Sequence, residues 1–124
     1  MALNMKELTI EERIAWFEAT LKECRSSVNT LNDERFLCVL FEELCIDAVT
    51  CFSEYSLNAL VDSGILSEED KSRCFKIRDL FMANENEFRA CGEPAKIKSM
   101  KQWKEINETA DAVWDNYVLT GQSK

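Results

Sequence analysis

The chain is 124 residues long, 46% hydrophobic and 31% charged, with a formal net charge of −8 and a pI near 4.6. That length predicts one domain able to bury a core without covalent staples, and so few turn residues, Gly 3 and Pro 1, set aside β-rich and loop-rich folds. The negative balance excludes a nucleic-acid or anionic-membrane surface, both of which need basic patches, and fits a basic protein partner as well as plain solubility.

Residues 1–8 read as a short lead-in, with acidic residues where a signal peptide would carry its apolar stretch. Thr9 with Glu12 forms a capping box, predicting a helix to about Cys24. Ile10, Ile14, Phe17, Leu21 and Cys24 make its apolar face. Trp16 points off that face, which leaves two readings open, a side chain covered by another element or a contact residue.

Ser26–Leu31 is a connection, after which Asn32 or Asp33 can cap the next helix. Its run Phe36–Phe52 is the most apolar in the chain and has neither Gly nor Pro. Leu37, Leu40, Phe41, Leu44, Cys45, Ala48, Cys51 and Phe52 fall on one arc, Val39 and Ile46 on the far side. Glu43, Asp47 and Thr50 form a narrow polar strip. A helix apolar on most of its circumference has neighbours on most of it, so this one is expected at the centre of a bundle. It is too short and too acidic to span a bilayer.

Ser53 ends that run, and a short helix is predicted over 54–62, closed by Gly64. Ser67 and Asp70 read as a second capping box, with Glu68 and Glu69 favouring the helix N-terminus. The helix that follows runs to about Ala90 on a face of Cys74, Ile77, Leu80, Phe81 and Phe88. Phe75 and Met82 make a second ridge expected to pack on a neighbour, a partner surface being the other reading. Asn84–Glu87 weaken helix propensity and allow a break there. Cys91-Gly92-Glu93-Pro94 is the clearest punctuation. Ser99 opens a last helix ending near Gly121, with Met100, Trp103, Ile106, Ala110, Val113, Trp114, Tyr117 and Val118 as its apolar stripe. These elements predict an all-α, single-domain bundle of about five helices.

The six cysteines, Cys24, Cys38, Cys45, Cys51, Cys74 and Cys91, sit at helical packing spacing without a CxxC, and the chain has no His. Reduced, mostly buried thiols in a cytosol are expected, with no metal site and no cofactor. Without His, the commonest general base and the His-dependent nucleophile systems are missing. No phosphate-cradling Gly-rich loop occurs. Carboxylates remain: Glu42, Glu43 and Asp47, with Glu108 and Asp111, resemble the split acidic motifs of all-α nucleotide pyrophosphohydrolases. The first motif lacks its third Glu and the halves stand too far apart. No catalytic residue is therefore assigned. A small carboxylate-metal hydrolase and an acidic helical adaptor stay as alternative readings.

The stretch LNALVDSGILSEEDKSRCFKIRDLF (Leu57–Phe81) and the Trp-rich end KQWKEINETADAVWDNY resemble small helical immunity proteins of bacterial toxin systems, including those of contact-dependent growth inhibition. The resemblance implies a cytoplasmic, non-enzymatic protein that binds and neutralises a cognate toxin domain, with one partner per chain. Many such toxins are nucleases with basic clefts, which an acidic protein can fill by charge complementarity. The acidic residues expected to carry recognition are Glu43 and Asp47 on the polar strip. A second set, Asp62, Glu68, Glu69 and Asp70, clusters at the turn around Gly64 and is expected to be more exposed.

Overall fold

The computed structural model describes residues 9–119, with side chains to Tyr117. The lead-in at 1–8, the Val118 side chain and the helix end near Gly121 lie outside the described residues. Among those described, no strand occurs and no helix is long and apolar enough to cross a membrane. The all-α architecture is as the sequence predicts.

The first helix, α1 (Ile10–Cys24), opens on the full capping box, Thr9 and Glu12 each accepting from the other's backbone N–H. A 3-10 turn (Ser26–Thr30) leads to α2 (Asp33–Cys38), where Asn32 supplies the cap by accepting from the Arg35 N–H. A π-helical segment (Val39–Glu43) joins α2 to α3 (Leu44–Thr50). Ser53 caps α4 (Glu54–Asp62), and Ser67 caps α5 (Glu68–Cys91). The second half of the expected Ser67 capping box is absent, because the Asp70 carboxylate turns instead to Arg73 and Asn116. Gly64 and Gly92 close α4 and α5 at φ of 75° and 66°, conformations only Gly adopts without strain. Helix α5 runs unbroken through Asn84–Glu87. The short α6 (Pro94–Ser99), with Pro94 in its first turn, precedes α7 (Lys101–Leu119) where punctuation alone was expected.

The π segment corrects the reading of the most apolar run. Phe36 is buried before it and Val39 and Leu40 at its start; Leu44, Ala48, Cys51 and Phe52 are buried after it. On a regular helix the second set would lie about 100° round from the first, one residue's worth of rotation. The π segment absorbs that residue, and the Leu44 N–H reaches back five positions to the Val39 carbonyl. Val39, expected on the far side, is therefore buried, while Leu37, Phe41 and Cys45 are only half-buried. The Phe41 carbonyl, displaced from the regular ladder, accepts from Cys45 Sγ at 3.0 Å and from Arg89 Nη2 of α5 at 3.1 Å. Nor is the helix surrounded: Ile46 is 61% exposed and Val49 44%.

One core unites the helices. Phe17 of α1 packs against Phe52 and Tyr117, and Trp103 of α7 packs edge-on to Phe36 and Phe88. All six cysteines are free thiols, with Cys24, Cys51 and Cys74 buried. The Phe75–Met82 ridge does not pack as expected. Phe75 is half-buried beneath the Arg78 guanidinium, and Met82 is 53% exposed.

Candidate functional site

Helix α1 presents a second edge besides its apolar face. Trp16, Thr20 and Glu23, spaced by four and three, stack along it and face the π segment and α3. Trp16 Nε1 donates to Asp47 Oδ1 at 3.4 Å, so the off-face Trp is half-buried and anchored across the helices. Thr20 is buried beside Cys51. Glu23 comes within hydrogen-bonding reach of both Glu43 and Asp47.

The structure thus brings the predicted pair Glu43 and Asp47 together with a third carboxyl that sequence reasoning passed over. Burial, the Asp47 charge and hydrogen bonds that only a protonated carboxyl can donate push Glu23 up to about 9. Its Oε1 is shut off from solvent with no hydrogen-bond partner among the described residues. One cation attends the cluster: Arg35 Nη1 donates to Glu43 Oε2 at 2.8 Å, with the Cys38 thiol alongside at 3.8 Å. Of the three acidic side chains, Glu43 is paired with a guanidinium, and no ion pair to Glu23 or Asp47 occurs among the described residues. The signal for Glu23 was present in the sequence as polar residues at helical spacing from Trp16.

The second predicted cluster is differently built. Asp62, Glu68 and Glu69 are exposed, but Glu68 pairs with Lys71 at 3.2 Å and Glu69 with Arg73 at 3.2 Å. Asp70 is 4% exposed, contrary to expectation, and accepts from Arg73 at 2.6 Å and from Asn116 at 3.3 Å. It ties α5 to α7 instead of facing solvent. The carboxylates of the hydrolase reading also separate in role. Asp111 is held by Arg25 and Ser26 at the 3-10 turn, whereas Asp47 faces Trp16. Among the described residues, no group of three or more His, Cys, Asp or Glu is placed to hold a metal ion.

Charge is unevenly spread. PAKIKSMKQWK (Pro94–Lys104) carries four lysines and no carboxylate. Lys101 and Lys104 line an open cleft of about 660 Å³ with Lys76, Glu105 and Glu108, where Lys76 and Glu105 pair at 3.0 Å. The acidic cluster of α1, the π segment and α3 is the site with unmet charge. Comparison with protein-family models, with curated proteins and with solved structures finds no match.

Proposed function

We propose that the chain is a cytosolic inhibitor of the immunity type, binding a basic toxin domain one to one and blocking it through its acidic surface. The observation that carries this reading is the convergence of Glu23, Glu43 and Asp47 on one half-buried site, where burial first, and then the neighbouring carboxylates, push the Glu23 carboxyl up. A Lys or Arg of the partner entering there displaces the Glu23 proton and supplies a counter-charge. Such close, partly desolvated charge pairs steer association and fix register at protein interfaces. On a nuclease partner, the carboxylates would stand where substrate phosphates otherwise bind. The resemblance of Leu57–Phe81 and the last helix to immunity proteins supports the same reading.

The test is affinity capture from the native cell, followed by reconstitution with the captured protein. The expected result is one stoichiometric basic partner whose activity is lost at equimolar inhibitor. Association should slow at least tenfold in the Glu43→Lys, Asp47→Lys double variant and lose most of its salt dependence. Reversal of Glu68 and Glu69, already paired with Lys71 and Arg73, should have a smaller effect. Capture of no basic partner, or association indifferent to salt and to every reversal, would overturn the reading.

A further inference from the structure

The large apolar side chains exposed among the described residues are Ile46, Val49, Tyr55 and Met82. Three of them share one face. Helix α5 runs antiparallel beside the π segment and α3, pinned at both ends: Arg78 donates to the Phe52 carbonyl at 3.3 Å and Arg89 to the Phe41 carbonyl at 3.1 Å. The anchors are equally spaced on the two sides, Phe41 to Phe52 and Arg78 to Arg89, so the register between them is set. Met82, one turn beyond Arg78, therefore lies level with residues 48–49. Ile46 and Val49, three apart on the outer side of α3, form the facing wall.

The face has the composition of a contact surface. Its centre is aliphatic and thioether, and Met adapts its shape to varied partners. Its ends are stacked pairs, with the Arg89 guanidinium 4.8 Å from the Phe41 ring and that of Arg78 4.7 Å from Phe75. Both guanidiniums are already held by carboxylates, Arg89 by Glu85 and Arg78 by Asp79. Glu42, exposed on the π segment, adds a third carboxylate to Glu85 and Asp79, against the two guanidiniums. The rim is thus acidic around an apolar floor. It repels a second copy of a chain at net −8 and an anionic lipid surface alike.

We infer that the groove between α3 and α5 docks a basic amphipathic helix of a protein partner, its apolar stripe on Ile46, Val49 and Met82 and its flanking Lys or Arg side chains against Glu42, Asp79 and Glu85. Two packed helices offer a groove that a third helix fills, anchored by side chains at three- and four-residue spacing. The inference rests on the reading of the chain as a binder of a basic protein, and it adds a dry centre to the charged site beside it. A few apolar anchors at such a centre carry most of the affinity and act on dissociation, while the charged rim acts on association.

The test uses two labelled 18-residue helical peptides with the same leucine stripe, one with Lys and one with Glu on the polar face. Fluorescence anisotropy is read with the full chain at physiological salt. The Lys peptide should bind at least tenfold more tightly than the Glu peptide. Ile46→Asn and Met82→Gln, exposed changes whose folding is checked by thermal melting, should each weaken it about tenfold. Glu68→Gln should leave it unchanged. Equal binding of the Lys peptide to wild type and both groove variants, or no binding of either peptide, overturns the groove. A partner captured as above that dissociates at an unchanged rate from Ile46→Asn and Met82→Gln also overturns it, while leaving the inhibitor reading intact. Groove-dependent peptide binding with no basic partner captured supports the groove and removes the inhibitor reading.

Discussion

Glu23 is the residue whose environment departs furthest from its chemistry in water. In the unfolded chain it titrates at an ordinary value near 4.5, and in the fold it is raised to about 9 by burial and by Asp47 and Glu43. The folded state therefore holds a proton that the unfolded state gives up. The resulting stability is fully present below about 4.5 and is lost as pH rises through about 9. Thermal unfolding followed from pH 6 to 9 should show a falling melting temperature. Glu23→Gln keeps a neutral amide donor at the site and should flatten that slope, melting above wild type at pH 9. Identical slopes in the two proteins would show that Glu23 is not the titrating group. Asp70 is a buried carboxylate of another kind, paired with Arg73 and bonded by Asn116. Its burial was not legible locally, because the Asn116 that receives it lies 46 residues away in sequence.

At the scale of elements, what was legible is what the chain decides locally. The Thr9 capping box, the Ser67 cap and the Gly64 stop each depend on residues within one turn and stand where the sequence puts them; Asn32, one of two candidates, is the cap of α2, while Ser53, read only as ending the apolar run, caps α4. The π segment was not legible. An apolar run offers several arcs of equal quality, and the choice among them falls to tertiary partners, here Arg89 on the Phe41 carbonyl. The same blindness left Ile46 expected to have neighbours, whereas it is 61% exposed. The observed phase changes what core mutations should do. Leu44 is fully buried, so Leu44→Ala should cost about 2–5 kcal/mol by leaving a cavity. Phe41 is half-buried and stacked under Arg89, so Phe41→Ala should cost clearly less. Chemical denaturation of the two variants measures the difference, and equal losses would mean that the phase described for this helix is wrong.

Taken whole, the molecule separates its chemistry by depth and by side. Cys24 and Cys74 are raised well above the ordinary thiol value and Cys51 to about 12, first of all by burial, so none forms the reactive thiolate near neutral pH. A thiol reagent should count three cysteines in the native protein, Cys38, Cys45 and Cys91, and all six once denaturant is added without reductant. Fewer than six in denaturant would reveal a disulfide. Sideways, the four lysines of Pro94–Lys104 leave a net −12 on the remainder of a chain at −8. A basic partner thus meets a molecule with a preferred approach, drawn to the carboxylates of α1 and α3 and repelled from the lysine corner.

The extra residue taken up by Val39–Glu43 also fixes where the helical run Asp33–Thr50 can change length. Shortening that segment by one position would convert a wide turn to a regular one and leave both flanking stripes, Phe36 to Leu40 and Leu44 to Phe52, still aimed at the core. A deletion within α3 would swing all that follows it by about 100° and turn Phe52 out into water. Variation in helix length is therefore confined to a stretch ending at Glu43, so that any change of length there also resets the spacing between Arg35, Glu43 and Asp47. Tolerance to a one-residue deletion and the Glu43 carboxylate of the acidic cluster are located in the same five residues.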